Sequence, residues 1–221
     1  MLDVVTFKWG SKYKWDHVRR LQRMVHEHLP LRHRLTVLTD DVRAGKCATG
    51  SEVEVRSVDH DLIPLGNAYP KLRVFDPHFP ADRILALDLD VTIVGSLLPI
   101  VARSEPLVLL PEFDYEPRAG RIRCHYNTSV MLLDVGAAPD VWRGFRGTPH
   151  LAAAMMRGRI GSDQAWVSHC LGPDVPTFGP EAGIRSYRFD VRPNGRRPTD
   201  IIICYHGKPK PWDVDDGNPV C

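Results

Sequence analysis

The first ninety residues alternate short β-branched runs with a helix-like segment, and this alternation limits the fold more than any other feature. The run at residues 3–7 is DVVTF, and residues 15–29 then repeat valine and leucine at a helical spacing. Three further strand-like runs follow at residues 35–41, 52–58 and 83–90. Strands joined through helices form mostly parallel sheets, which bind ligands at the carboxyl ends of their strands. The pattern therefore predicts an α/β fold with a mostly parallel sheet flanked by helices.

The second half of the chain is less regular. Strand-like runs lie at residues 106–111, 128–135 and 200–207, and helical patterns lie at residues 149–157 and 163–171. The stretch at 113–126 is rich in Arg, Gly and Glu, and its position between two strands suits a substrate-facing flap. We therefore expect a single mixed sheet within one domain spanning residues 1–221.

Size, charge and cysteine content exclude several classes of protein. A chain of 221 residues with 43% hydrophobic content buries one substantial core. Its 29 basic and 27 acidic residues nearly cancel, which argues against a nucleic-acid partner. No apolar run is long enough for a membrane span, and the first residues do not resemble an export signal. Five widely spaced cysteines without a C-x-x-C pair indicate free thiols, so we expect a cytoplasmic protein.

The sequence ILALDLDVTIV carries the strongest chemical signal. An apolar strand runs into Asp88, Leu89 and Asp90, and residues two apart on a strand point to the same side. Two neighbouring carboxylates repel each other unless a cation lies between them, and Mg²⁺ and Mn²⁺ prefer such oxygen ligands. The pairs Asp59/Asp61 and Asp213/Asp215 have the same spacing but no comparable apolar strand before them. Context thus favours Asp88 and Asp90 as metal ligands.

Two other interpretations of this motif stay open. The aspartates could cap the following turn or pair with arginines at a solvated edge. Phosphatases of the haloacid dehalogenase type also place D-x-D after a buried strand, usually as D-x-D-G-T. Here Val91 replaces that glycine, and three candidate strands precede the motif instead of none. A phosphohydrolase using Asp88 and Asp90 is therefore the alternative enzyme.

Five segments together resemble bacterial glycosyltransferases related to glycosyltransferase family 8. They are YPKLR from Tyr69, the Asp88 to Asp90 motif, YNTSVMLLD from Tyr126, GSDQAW from Gly161 and YHGKPKPWD from Tyr205. The resemblance spans nearly the whole chain. It implies a GT-A (Rossmann-like) fold, a nucleotide-sugar donor that is usually a UDP-sugar, an unidentified acceptor, and Mn²⁺ or Mg²⁺ as cofactor. Residues 1–90 would then be the nucleotide-binding half, and residues 91–221 would complete the acceptor and metal sites.

The resemblance also assigns a metal site and a diphosphate site. Asp88, Asp90 and His206 correspond to the metal ligands of the family, and neutral imidazole is an acceptable Mn²⁺ ligand. The family motif H-x-x-G-x-x-K-P-W is two residues shorter here, so either Lys208 or Lys210 would contact the diphosphate. Gly207, between the histidine and these lysines, allows the backbone to approach phosphate oxygens.

Further donor contacts follow from the same resemblance. Lys71 would face the donor while Arg73 faces elsewhere, and Leu89 lies between the two metal-binding aspartates. The nucleobase and ribose would lie near the end of the first strand, and the sugar near a later strand. These donor-site candidates are Thr6, Lys8, Tyr13 and Asp40 for the nucleoside and Asn127 and Ser129 for the sugar.

The expected chemistry places Asp163 on the sugar hydroxyls and Gln164 near the anomeric carbon. The resemblance implies that the anomeric configuration is retained, with Gln164 stabilising an oxocarbenium-like sugar. An inverting enzyme would instead need a carboxylate base, and Asp163 or Asp114 would be the first to test. A third possibility is a catalytically silent module that binds a nucleotide sugar.

Overall fold

The computed structural model describes residues 1–66, 68–113, 124–157 and 163–214. Its strands are β1 (Leu2–Lys8), β2 (His33–Thr39), β3 (Val53–Ser57), β4 (Arg83–Leu87), β5 (Val91–Ile93), β6 (Leu107–Pro111), β7 (Tyr126–Asp134), β8 (Ile184–Ser186) and β9 (Ile202–Cys204). Six of them form a central sheet in the order β3-β2-β1-β4-β7-β6, and β5-β9-β8 form a smaller sheet.

The central sheet is mixed and mostly parallel, as predicted. Strand β1 pairs in parallel with β2 and β4, and β2 pairs in parallel with β3. Strand β7 pairs antiparallel with both β4 and β6, so it runs against the other strands of this sheet. The expectation of a single sheet did not include the three-stranded sheet, whose strands are each three residues long.

Helices flank the central sheet. The α-helices are α1 (Trp15–His28), α2 (Val42–Thr49), α3 (Leu98–Val101), α4 (Pro139–Gly147), α5 (Pro149–Met155), α6 (Asp163–Leu171) and α7 (Arg192–Asn194). The 3-10 helices are Gly50–Glu52, His60–Leu65, Tyr69–Phe75, Pro180–Ala182 and Pro211–Asp213, and Tyr187–Val191 is a π-helix. None of the helices in the described ranges is both long enough and apolar enough to cross a bilayer.

Apolar residues cover both faces of the central sheet. On one face, Val4 of β1 packs in a cluster with Val18 and Leu21 of helix α1. On the other face, Val5 of β1 belongs to a second cluster, which contains Trp166 of α6. Adjacent strand residues point to opposite faces, so a sheet covered on both sides needs continuous apolar strands. Full burial of one such side chain stabilises the folded state by about 1.5–3 kcal/mol. The two apolar layers therefore hold the central sheet in place.

Polar residues lie at the edge of the central sheet where β4 and β6 end and β7 begins. Strand β4 ends at Leu87, opposite Val130 of β7, and strand β6 ends at Pro111, opposite Tyr126. Because β7 is antiparallel, its first residues lie beside the carboxyl ends of β4 and β6. The segment after β4 and the beginning of β7 therefore meet at the edge where α/β sheets bind ligands.

Several predicted boundaries are wrong at this edge. Asp88 and Asp90 are not part of the strand, because β4 ends at Leu87 and a turn connects it to β5. Strand β7 begins at Tyr126, before the predicted run at 128–135, so Asn127 lies inside the strand as Ser129 does. The predicted strand at 200–207 extends only over Ile202–Cys204. Most of the predicted flap at 113–126 lies outside the described residues, as do Asp114 and Cys221.

The cysteines that the structure describes are free thiols, as predicted. Cys124 and Cys204 are buried, and Cys47 and Cys170 are exposed.

Candidate functional site

The turn between β4 and β5 presents the two aspartates of the motif. The backbone N–H of Asp88 donates to the carbonyl of Ser129 at 3.0 Å, and the backbone N–H of Tyr205 donates to the carbonyl of Asp90 at 3.2 Å. The turn is thus tied to β7 on one side and to the segment after β9 on the other. The carboxylates project from a fixed turn, not from alternate positions of a strand as predicted.

Lys71 lies buried between two carboxylates. Its Nζ is 2.8 Å from Asp88 Oδ1 and 3.2 Å from Asp163 Oδ2, and it donates to Thr128 Oγ1 at 3.2 Å. Thr128 in turn donates to Asp163 Oδ2 at 2.5 Å. Burial opposes the charge of Lys71, but Asp163 and Asp88 outweigh it and raise the pKa of the ammonium group. Lys71 is therefore a permanent cation. It joins the turn at residues 88–90, called the aspartate turn below, to the start of α6.

Asp90 binds a second set of partners. Its Oδ2 accepts from Tyr13 Oη at 2.8 Å and from Lys210 Nζ at 2.5 Å. Burial and the negative charge of Asp90 raise the pKa of Tyr13, so this phenol stays protonated and donates. The hydroxyl of Tyr13 thus binds Asp90, and its predicted role toward a nucleoside stays a prediction.

His206 reaches the same region with one ring nitrogen unused. Its Nε2 is buried and has no hydrogen-bond partner among the residues that the structure describes. Burial lowers the pKa of His206 to about 4, although the charge of Asp90 acts in the opposite direction. The imidazole packs against the ring of Phe113, with 4.5 Å between centroids. His206 is therefore a neutral imidazole with a free buried nitrogen, a form able to ligate a metal.

The side chains of this edge do not form a ready-made metal cluster. Within residues 1–66, 68–113, 124–157 and 163–214, no three His, Cys, Asp or Glu side chains are grouped closely enough to hold an ion. Lys71 and Lys210 contact the two aspartates of the motif instead. The chemistry of the donor set nonetheless fits Mn²⁺ or Mg²⁺, because it combines carboxylate oxygens with an unpartnered imidazole nitrogen.

The start of α6 brings Asp163 and Gln164 to this edge. Asp163 is buried beside Lys71, and Gln164 Nε2 donates to Glu112 Oε2 at 2.5 Å. Glu112 was not predicted, although it follows Pro111 at the end of β6. The rule that polar residues after parallel strands share one edge could have identified it.

Other predicted donor contacts are engaged inside the protein. Thr6 is fully buried and donates to the carbonyl of Leu87 at 2.8 Å. Lys8 Nζ contacts the carbonyl of Gly10 at 3.3 Å and lies 4.9 Å from the ring centroid of Trp15. Asp40 accepts from the backbone N–H of Gly10 at 2.8 Å. Thr6 and Lys8 belong to the carboxyl-terminal part of β1, and Asp40 directly follows β2. Their roles toward a nucleoside stay predictions.

The remaining residues named in the sequence analysis differ in how far their side chains are exposed to solvent. Leu89 is only 2% exposed and packs in the core, so its side chain does not face a ligand. Gly207 is exposed with φ +69°, a backbone conformation that favours glycine. Lys208 is exposed, whereas Lys210 reaches the aspartate turn. Arg73 faces away from the site, as expected, and pairs with Asp59 and Asp76.

No protein-family model matches the sequence, and no curated protein matches it either. In fold, the chain is similar to the galactosyltransferase LgtC in complex with donor and acceptor sugar analogues. The TM-score is 0.66 at 16% identity, over 96% of this chain and 90% of LgtC. An active-site mutant of LgtC, in which a glutamine is replaced by a glutamate, gives the same values.

The apo form of the glycosyltransferase GlyE from Streptococcus pneumoniae TIGR4 is also similar. Its TM-score is 0.64 at 13% identity, over 95% of this chain and 55% of GlyE. Identities this low are evidence of a common fold only. The chain therefore has the fold of these glycosyltransferases, which confirms the GT-A architecture expected from the sequence.

Proposed function

We propose that this protein is a metal-dependent glycosyltransferase that moves a sugar from a nucleotide diphosphate sugar, in the first place a UDP-sugar, to an acceptor. One observation carries the proposal: the aspartate turn, the start of α6 and His206 meet at the ligand-binding edge of a GT-A sheet. Lys71 joins Asp88 to Asp163 there. His206, whose Nε2 has no partner among the described residues, directly follows Tyr205, and the backbone N–H of Tyr205 donates to the carbonyl of Asp90 at 3.2 Å.

In this proposal Asp88, Asp90 and His206 hold Mn²⁺ or Mg²⁺. The support is the donor chemistry of these three side chains and the free nitrogen of His206. When bound, the cation would act as a Lewis acid toward the diphosphate leaving group. Lys210 is the better candidate than Lys208 for a diphosphate contact, because its ammonium group already lies at the aspartate turn.

We assign the proposed binding site of the donor sugar from the positions of four residues in the structure. Asp163 would bind sugar hydroxyls, with its carboxylate held by Lys71 and Thr128. Gln164 would lie near the anomeric carbon, in a transfer that retains configuration. The LgtC variant supports this assignment by analogy, since a glutamine belongs to the active site of that enzyme. Asn127 and Ser129, both buried at the start of β7, complete the proposed sugar site.

The nucleoside would lie toward the ends of β1 and β2. Thr6, Lys8, Tyr13 and Asp40 are the predicted residues there, and Gly207 would let the backbone approach the diphosphate. The first half of the chain, residues 1–90, then binds the nucleotide, and residues 91–221 supply the sugar and acceptor side. LgtC, whose fold this chain shares, was solved with both donor and acceptor sugar analogues.

A donor screen tests the proposal. Thermal stability is measured with a panel of nucleotide sugars with and without Mn²⁺, since a ligand that binds the folded state raises its apparent stability. The best donor is then tested for hydrolysis or transfer. We expect activity that requires added metal and is lost in Asp88→Asn. The control Asp140→Asn removes a carboxylate whose side chain is 94% exposed on α4, and it should keep full activity.

The same assay separates the alternatives. Phosphate release from simple phosphate esters, without any sugar nucleotide, would favour the phosphohydrolase. Saturable donor binding without turnover would favour a silent binding module. Metal-independent transfer would contradict the assigned role of Asp88, Asp90 and His206.

A further inference from the structure

Glu112 lies beside the glutamine that the proposed function assigns to the reaction. Gln164 Nε2 donates to Glu112 Oε2 at 2.5 Å. The other oxygen, Oε1, accepts from the backbone N–H of Phe113 at 3.1 Å and from Asn127 Nδ2 at 3.5 Å. Both carboxylate oxygens of Glu112 are therefore engaged, and one of them holds Gln164.

The direction of every hydrogen bond in this chain of contacts is fixed by chemistry. The backbone N–H of Ser129 donates to Asn127 Oδ1 at 2.9 Å, and this leaves Asn127 Nδ2 to face Glu112. An ionised carboxylate only accepts hydrogen bonds, so Gln164 must present its NH₂ group to Glu112. The Oε1 oxygen of Gln164 then points away from Glu112. In the part of the chain that the structure describes, no protein donor binds this oxygen.

Resting on the proposed transferase function, we propose that Glu112 is a positioning residue that turns the amide of Gln164. With its NH₂ group held by Glu112, Gln164 presents its Oε1 oxygen to the anomeric carbon of the donor sugar. Positive charge develops at that carbon as the bond to the diphosphate breaks. A carbonyl oxygen stabilises this charge, and an NH₂ group at the same place would oppose it. The carboxylate of Glu112 acts through Gln164 and touches no reacting atom.

A double-mutant cycle tests this role, with kcat and the donor KM measured separately. We expect Glu112→Ala to lower kcat about tenfold with donor KM unchanged to within about twofold. In the Gln164→Ala background, the same substitution should change kcat by less than about twofold, because there is no amide left to orient. Glu112→Gln should cause an intermediate loss of about threefold, since a glutamine can accept or donate and so permits both orientations of Gln164. The control Glu27→Ala, at an exposed position of α1, should change nothing.

NMR spectroscopy tests the hydrogen bond between Gln164 and Glu112 directly. The side-chain NH₂ signals of Gln164 are assigned by comparing ¹⁵N spectra of the protein with and without Gln164→Ala. In Glu112→Ala these signals should move toward the position of a solvated amide, whereas in Glu27→Ala they should stay.

The outcomes separate this inference from the proposed function. A protein that turns over no donor refutes the transferase, and the inference fails with it. An active protein in which the effects of Glu112→Ala and Gln164→Ala multiply refutes the positioning role alone. A rise in acceptor KM that persists without Gln164 would also refute it, since Glu112 would then bind the acceptor. Unmoved NH₂ signals in Glu112→Ala would show that the contact does not hold Gln164.

Discussion

Replacing Lys71 by methionine should strongly destabilise the protein, because it leaves the buried carboxylate of Asp163 and the partly buried carboxylate of Asp88 without their counter-ion. Lys71 and Asp163 are each 5% exposed. With an effective dielectric constant of about 20, the attraction is about 6 kcal/mol for the 2.8 Å pair with Asp88 and about 5 kcal/mol for the 3.2 Å pair with Asp163. The cost of burying the ammonium group offsets much of this attraction.

The net loss should resemble that of other buried pairs from which one partner is removed, about 3–5 kcal/mol. Asp88, whose side chain is 25% exposed, is better solvated than Asp163, so most of the loss comes from Asp163. Urea unfolding followed by circular dichroism measures the change, with the slope of the transition as a check on two-state behaviour. The second substitution in Lys71→Met/Asp163→Asn should restore part of the stability, because it removes the stranded charge.

The matched control is Lys46→Met, at an exposed position of α2, which should change stability by less than about 0.5 kcal/mol. A loss below about 1 kcal/mol in Lys71→Met would contradict the role of Lys71 as the counter-ion of the buried carboxylate of Asp163. A double variant no more stable than Lys71→Met would refute it as well, since the stranded carboxylate of Asp163 would then not be the cause.

Three further predictions concern the metal site and the thiols. Lys210→Met removes the ammonium group from Asp90, so calorimetry should show about tenfold tighter Mn²⁺ binding without nucleotide; unchanged affinity would contradict the contact. Cys170 is exposed as a residue, but its thiol is half-buried, and this burial and the charge of Asp140 raise its pKa to about 11, so its alkylation rate should still increase above pH 9.5 in the folded protein. In urea the rate should level off near the ordinary thiol pKa. Mass spectrometry should also find Cys204 unmodified until the protein unfolds, because it is fully buried, while exposed Cys47 reacts first.

The central sheet was predictable because its strands consist of short apolar runs, which the sequence of each segment shows by itself. Continuous apolar runs such as ILAL in β4 identify strands covered on both faces, and the spacing of Val18 and Leu21 identifies the helix that covers one face of the sheet. The small second sheet was not predictable in this way. Strands of three residues, such as β5 and β8, gain their stability from pairing with distant segments, and that pairing leaves little local signal.

The candidate site was predictable in part, for a similar reason. Polar residues after apolar strands pointed to Asp88 and Asp90, and the structure brings Lys71 and Asp163 to the same edge. What the sequence could not show is which side chains pair across that edge. The contact between Tyr13 and Asp90 joins residues 77 positions apart, and local pattern carries no information on it.

The proposed metal site is tested most directly by a crystal structure of the protein grown with Mn²⁺ and UDP, with diffraction data collected to locate the anomalous scattering of manganese. We expect one strong peak bound by Asp88, Asp90 and the Nε2 of His206, in contact with the diphosphate. A bound UDP whose diphosphate has no manganese peak, or a peak remote from these three side chains, would contradict it.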